Sequence, residues 1–141
     1  MTQRPDLFGA IWCGYPLLDM LRYQKFLVGR TWTTEYGSAE NAGDFSYIYK
    51  YSPYQHVVLG TKYPAIMFFT GDSDTRVAPL HARKMAALMQ ATVMSEPEDD
   101  RRPVLLHYDV KAGHSAGVSV DQLVKDMADE LGFLWNETGG K

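Results

Sequence analysis

The chain has 141 residues, of which 45% are hydrophobic and 22% are charged. These proportions are typical of a globular protein of about one domain, and they exclude intrinsic disorder and fibrous repeats. Fourteen basic and seventeen acidic residues give a formal net charge of −3. No stripe of lysine and arginine interleaved with aromatic residues occurs, so we expect no nucleic-acid partner.

Cysteine content and hydropathy bear on the compartment. Cys13 is the single cysteine, and its apolar surroundings predict a small buried hydrophobe rather than a reactive thiol, which favours a reducing compartment. No apolar run reaches the roughly 18 residues of a membrane helix, so we expect no membrane partner. We therefore expect a cytoplasmic location, with a periplasmic one open for a longer parent protein.

Three short apolar runs, rich in branched and aromatic residues, predict fully buried strands. They cover residues 8–15, 65–70 and 104–110. Each is followed by a predicted helix, and this alternation indicates a parallel sheet. The predicted fold class is α/β, with about three parallel strands alternating with helices. So small a sheet leaves an uncovered edge, and we expect part of it to be missing on the N-terminal side.

The first two helices follow the first strand. Apolar residues near helical spacing predict a helix over residues 17–27, with Gly29 as its stop signal. A second, shorter helix is predicted over residues 41–49, ending before Ser52 and Pro53.

The other two helices follow the second and third strands. Pro79 can occupy the first turn of one of them, and Leu80, Ala87 and Leu88 would form its buried face. Ser119, with a glutamine three residues later, forms a candidate capping box for the last helix. Its apolar residues recur at a period near 3.6 and predict its core face: Val120, Leu123, Val124, Met127, Leu131 and Trp135.

The loops after the second and third strands carry residue types that are common in catalysis. In an open α/β sheet, functional loops leave the carboxyl ends of strands. Asp74 could there accept a hydrogen bond from His114, which Gly113 and Gly117 flank. Asp72 fits the pattern as well as Asp74 does, and either aspartate could instead support a turn.

The remaining histidines, His56, His81 and His107, have no metal-like spacing to carboxylates or to the cysteine. We therefore assign them structural or solvated positions and expect no metal.

Five segments resemble the C-terminal part of the catalytic domain of the prolyl oligopeptidase family. They read "QRPDLFGA", "LLDMLRYQKFLVGRTWTTEYGS", "YKYSPYQHV", "YPAIMFFTGDSDTRVAPLHARKMAALMQ" and "KAGHSAG". The resemblance runs over residues 3–135, with the segments in the family's order. It implies a partial α/β-hydrolase fold and a serine peptidase triad in the chain order Ser, Asp, His, for which we expect no cofactor.

The resemblance also assigns roles to residues. It makes Asp74 the triad carboxylate, His114 the general base and Arg76 a substrate-binding residue. From the residues alone, the preferred interpretation of Arg76 is a surface ion pair with Asp72 or Asp74.

A proline pocket is implied in the same way. Trp32 and Tyr36 match aromatic positions of the family's pocket, and Leu17 and Val77 match its aliphatic walls. A flat indole can stack on a pyrrolidine ring and exclude water. On pattern alone these positions would be ordinary core.

The family's nucleophile lies in a Gly-x-Ser-x-Gly elbow upstream of the segment that here covers residues 3–10. No serine of this chain has that context; the seven are Ser38, Ser46, Ser52, Ser73, Ser95, Ser115 and Ser119. We therefore expect residues 1–141 to be a single partial domain, the C-terminal segment of a peptidase that cleaves short proline-containing peptides, and to be inactive alone.

Two alternatives remain open from the sequence. The chain could be a non-catalytic half-sheet module that pairs with a second copy of itself or with the remainder of a hydrolase domain. It could also belong to a related serine esterase or peptidase of different specificity.

Overall fold

A three-stranded parallel sheet forms the centre of the molecule. The computed structural model describes residues 1–114 and 118–139, so Ser115 and Gly117 of the predicted histidine loop lie outside the described residues. The strands occur in the order β1 (Ala10–Gly14), β2 (Ala65–Gly71) and β3 (Val104–Asp109). The predicted α/β class is confirmed, and all three carboxyl ends lie at the same edge of the sheet.

Burial differs between the strands. Every residue of β2 is buried, whereas β1 is half-buried along its length and Leu105 of β3 is 43% exposed. The prediction of three fully buried strands was therefore wrong for β1 and β3. They are the two edges of the sheet, and each has a neighbouring strand on one side only.

The helices are short except for the last two. The α-helices are α1 (Thr33–Tyr36), α2 (Ala42–Tyr51), α3 (Leu80–Val93) and α4 (Val120–Glu137). Short 3₁₀ segments cover Pro5–Leu7, Tyr23–Lys25, Leu27–Trp32, Pro53–His56 and Glu98–Asp100. The predicted second helix corresponds to α2, and the side chain of Asn41 caps it by accepting from two backbone N–H groups.

The predicted helix over residues 17–27 was wrong, because turns and 3₁₀ segments occupy this stretch. Asp19 is buried in it, with only 1% of its surface exposed. Its carboxylate accepts hydrogen bonds from the ammonium group of Lys84 at 2.5 Å and from the Gln55 amide at 2.8 Å. Leu27 has φ +49°, which no right-handed helix allows. Tertiary contacts to a buried charge thus override local helix propensity.

The helix predicted after the second strand is α3, but Pro79 is its N-cap and not a residue of its first turn, and its buried face differs from the predicted one. Ala87 is exposed, and Leu80 and Leu88 are only half-buried. The buried face is formed by His81, Ala82, Met85, Ala86, Met89 and Thr92. These residues also follow helical spacing, and their small or flexible side chains let the helix lie close to the sheet.

Helix α4 has its predicted N-terminus, since Ser119 Oγ accepts from the Gln122 N–H at 3.2 Å. The reciprocal half of the capping box is absent, because the Gln122 side chain donates to Asp126 instead. The predicted core face was wrong, since it is 49–74% exposed. The exposed residues are Val120, Leu123, Val124, Met127, Leu131 and Trp135. We call this surface the α4 stripe.

The two faces of the sheet hold separate cores, because successive residues of β2 point to opposite sides. Ile66 and Phe68 pack with α3. Ala65 and Met67 pack with Phe133 of α4. The side of α4 that contacts the sheet is therefore the one opposite the side that periodicity predicted.

Candidate active site

Two loops meet at the carboxyl ends of β2 and β3. The Asp72 N–H donates to the Asp109 carbonyl at 2.8 Å, and the Ser73 N–H donates to the Ala112 carbonyl at 3.1 Å. A Cβ atom at Gly71 would lie 2.3 Å from the Ala112 oxygen. This close approach requires a glycine at the end of β2. The absence of a side chain there lets the two loops pack together.

Asp74 lies on the first of these loops with its side chain fully buried. Its Oδ1 accepts from the N–H groups of Arg76 and Val77, each at 2.8 Å. Its Oδ2 lies 2.7 Å from Nδ1 of His114. These three hydrogen bonds replace the water that burial removes from the carboxylate, and they fix its orientation.

His114 lies on the second loop, and 28% of its side chain is exposed. An ionised carboxylate only accepts hydrogen bonds, so the Nδ1 that faces Asp74 carries the proton. In the part of the chain that the structure describes, Nε2 has no hydrogen-bond partner. The neutral ring thus presents an unshared electron pair on Nε2, and that nitrogen can accept a proton from a hydroxyl placed next to it.

Asp72 and Asp74, equivalent in the sequence pattern, have different surroundings. Asp72 is exposed and accepts a hydrogen bond from the hydroxyl of Tyr108. That bond to Asp72 is the main reason that the pKa of Tyr108 is raised. Of the two aspartates, Asp74 is the one that contacts the imidazole of His114.

Arg76 contributes its backbone to the site, through the N–H that Asp74 accepts. Its side chain is exposed. Within residues 1–114 and 118–139, no carboxylate lies within ion-pair distance of its guanidinium. The surface ion pair considered from the sequence is therefore not formed with Asp72 or Asp74.

The structure brings three of the four predicted pocket residues together. Leu17, Trp32 and Tyr36 are partly buried and pack against one small core. That core consists of Met20, Tyr23 and Ile48. Val77 is not a member of this cluster. It lies on the Asp74 loop, half-buried, with its N–H bonded to that carboxylate.

Sequence reasoning missed Tyr15. Its ring lies at the end of β1, with its centroid 5.0 Å from that of the His114 ring. Its position as the last residue of a predicted strand could have indicated it, because the carboxyl ends of parallel strands meet at one edge. A tyrosine in an apolar run gives no such signal by residue type.

Other ionisable groups lie away from this contact. Burial raises the pKa of Cys13 to about 11, so its thiol stays protonated at neutral pH. His81 accepts a hydrogen bond from the Asp19 N–H at 3.1 Å, and its burial lowers its pKa to about 4. Among the described residues, no three histidine, cysteine or acidic side chains are grouped closely enough to hold a metal ion.

A search for membrane spans among the described helices finds none of sufficient length and apolar character.

Comparison with known proteins shows which family this chain matches. The family model described as the prolyl oligopeptidase family matches residues 1–141. The prolyl endopeptidase of Elizabethkingia miricola is 43% identical over 142 residues, which cover 100% of this chain and 19% of that protein.

Solved structures of prolyl endopeptidases and of a post-proline cleaving enzyme are similar to this chain. A chain from a structural analysis of two prolyl endopeptidases superposes with a TM-score of 0.90 at 41% identity, covering 100% of this chain and 20% of its own. A post-proline cleaving enzyme from Rickettsia typhi gives a TM-score of 0.83 at 33% identity, with coverages of 97% and 19%. The chain spans about a fifth of the length of these relatives. With its open parallel sheet of α/β-hydrolase type, it belongs to the prolyl oligopeptidase family of peptidases.

Proposed function

We propose that this chain supplies the aspartate and histidine of a Ser–His–Asp triad, and part of a proline pocket, to a serine peptidase that cleaves short peptides after proline. The observation that carries the proposal is the 2.7 Å contact between His114 and the buried carboxylate of Asp74. Family membership and the names of the relatives support the substrate class.

The proposed reaction follows from the chemistry of this pair. Nε2 of His114 takes the proton of a serine hydroxyl as the oxygen attacks the peptide carbonyl, and it then gives that proton to the leaving amine. Asp74 holds the ring and stabilises the imidazolium between the two transfers. The attacking serine would lie in a Gly-x-Ser-x-Gly elbow, a context that no serine of this chain has, so the 141-residue chain by itself lacks the covalent route.

Substrate binding is assigned to the predicted pocket residues. The exposed guanidinium of Arg76 is available to a carbonyl or carboxylate oxygen of the peptide. The cluster that contains Trp32, Tyr36 and Leu17 offers an apolar aromatic surface for a proline ring. Val77, on the Asp74 loop, would line the side of the pocket next to the triad.

The test is a chimaera that joins these 141 residues to the upstream segment of the Elizabethkingia miricola relative. We expect it to hydrolyse a proline-ended chromogenic peptide, and Asp74→Asn to lower kcat by about 10⁴-fold, because the ring would lose its orienting acceptor. Asp72→Asn is the matched control and should stay within a few-fold of the parent.

Three results would count against the proposal. They are an Asp74→Asn chimaera with normal turnover, preferential cleavage of an arginine-ended peptide, and labelling of the isolated chain by a serine-reactive phosphonate. The second result would support the related peptidase of different specificity.

A second candidate function rests on the exposed α4 stripe and on the two edge strands. Such surfaces would let a non-catalytic half-sheet associate with another copy or with the remainder of a hydrolase domain. Sedimentation of the isolated chain tests this reading. A compact monomer at high concentration would contradict self-association.

A further inference from the structure

Tyr15 has an unusual backbone conformation for its residue type. It follows the last residue of β1 with φ +46°, in the left-handed region, and it precedes a proline. Any residue other than glycine is disfavoured there, because its Cβ atom comes too close to the following carbonyl oxygen. Such conformations persist when surrounding contacts over-determine them, and they concentrate at functional sites.

Contacts with β2 hold Tyr15 on one side. Its N–H donates to the Phe69 carbonyl at 2.8 Å, which extends the strand pairing by one residue. Its ring meets the Phe69 ring edge-on, with centroids 5.4 Å apart and planes at 68°. Phe69 is 5% exposed, so this contact anchors the tyrosine on the buried central strand.

The Tyr15 ring also lies beside the imidazole of His114. The two centroids lie 5.0 Å apart with planes at 56°. Asp74 holds the imidazole at one atom, Nδ1. A single hydrogen bond limits the distance of a ring but leaves it room to tilt, whereas an adjacent aromatic ring restricts that tilt.

We propose that Tyr15 is a positioning residue for His114. The Tyr15 ring, fixed on Phe69, holds the imidazole in the orientation in which Nδ1 meets Asp74 and Nε2 points away from that carboxylate. The value of this orientation for turnover rests on the proposed function, but the orientation itself is a property of this chain and can be measured without any substrate.

Two substitutions distinguish positioning of His114 from a role in which the Tyr15 side chain only packs on Phe69. Tyr15→Phe keeps the ring and removes the hydroxyl. Tyr15→Leu keeps apolar contact with Phe69 and a comparable backbone preference, but it has no ring to lie beside His114. Positioning predicts that the phenylalanine variant behaves as the parent and the leucine variant does not.

The experiment is ¹⁵N-edited NMR of the 141-residue chain with labelled histidine. The Nδ1-bound proton of His114 should be seen in the parent and in Tyr15→Phe. In Tyr15→Leu its exchange with water should be about two- to tenfold faster, the range expected for loss of one aromatic pair. His81 is the internal control: its ring accepts from the Asp19 N–H, and its signals should be the same in all three chains.

Unchanged exchange in a folded Tyr15→Leu chain would overturn the proposal, and so would a Tyr15→Phe chain that exchanges as fast as the leucine variant. If Tyr15→Leu loses the His81 signals and is therefore unfolded, the parent chain decides. The proposal then requires nuclear Overhauser effects between the ring protons of Tyr15 and His114, and their absence overturns it.

Failure of the proposed function would look different. An Asp74→Asn chimaera with normal turnover would remove the catalytic role and leave the NMR result intact. If both proposals hold, Tyr15→Leu in the chimaera lowers kcat by about the same two- to tenfold with KM unchanged, because only the base is misplaced.

Discussion

Helices α3 and α4 both have a helical apolar pattern, yet they meet the sheet differently. On α3 the buried side also follows helical spacing, although it is not the side predicted from the sequence, and Met85 and Met89 are fully enclosed against β2 and β3. On α4 the patterned side is the exposed α4 stripe, and Phe133 on the opposite side provides the main contact with the sheet. Periodicity therefore defines an apolar side of a helix, but it does not identify the surface that covers that side.

The largest expected effect tests the buried side. Met85→Ala should lower the free energy of unfolding by about 2–5 kcal/mol, because it removes a fully enclosed side chain and leaves a cavity. Urea denaturation of the isolated chain measures it. Met127→Ala on the α4 stripe is the matched control and should change stability by less than about 0.5 kcal/mol. Equal losses of stability in the two variants would contradict the difference in burial between α3 and the α4 stripe.

Acid pH should lower the free energy of unfolding through His81, a buried residue of α3. Burial lowers the pKa of His81 to about 4, with Asp19 raising it and Lys84 lowering it further. In the unfolded chain this histidine titrates near its ordinary pKa of about 6.5. Because the pKa of His81 is lower in the folded chain, its contribution to the free energy of unfolding is complete above about pH 6.5. As the pH falls from there to about 4, up to about 3 kcal/mol of that free energy is lost.

His81→Asn isolates this effect, because its amide oxygen can still accept from the Asp19 N–H. Denaturation curves at several pH values between 7 and 4 should be flatter for the variant than for the parent. Parallel pH dependences of the two chains would contradict the assignment.

Loss of the buried ion pair should have an intermediate effect. Lys84 lies 2.5 Å from the Asp19 carboxylate and 4.2 Å from the centre of the Tyr54 ring. Burial acts to raise the pKa of Asp19, but hydrogen bonds from Lys84 and Gln55 hold it below its usual range. Lys84→Met should destabilise the chain by about 1–3 kcal/mol, because it leaves a buried charge under-compensated.

Thermal or urea unfolding would show that loss. The exposed Lys125 of α4 supplies the matched control, and Lys125→Met should leave the midpoint within error of the parent. A similar shift in both variants would mean that the Asp19 contact contributes nothing specific.

The smallest effect on unfolding is expected at the α4 stripe. Leu131→Ser together with Trp135→Ser changes side chains that are 59% and 64% exposed. The free energy of unfolding should change by less than about 1 kcal/mol. Any self-association of the parent should weaken, as seen by sedimentation at matched concentrations. A large loss of stability instead would show that the stripe is buried within a single chain.

Much of the site was predictable, and the missing parts have physical reasons. Asp74 and His114 follow neighbouring parallel strands, so chain order already placed them at one edge of the sheet. The choice of Asp74 over Asp72 was not available from spacing, because it depends on which carboxylate the backbone of Arg76 and Val77 fixes next to the ring. Tyr15 was missed for a similar reason, since its ring contact joins residues 99 positions apart.

The sequence by itself determined the alternation of strands and helices, the cap at Ser119 and the family resemblance, because these are encoded in residues close together along the chain. The tertiary structure alone decided which side of each helix is buried, that residues 17–27 wrap around a buried charge instead of forming a helix, and which groups touch His114. Burial and ring contacts are relations between distant segments, and their energies exist only once those segments have packed.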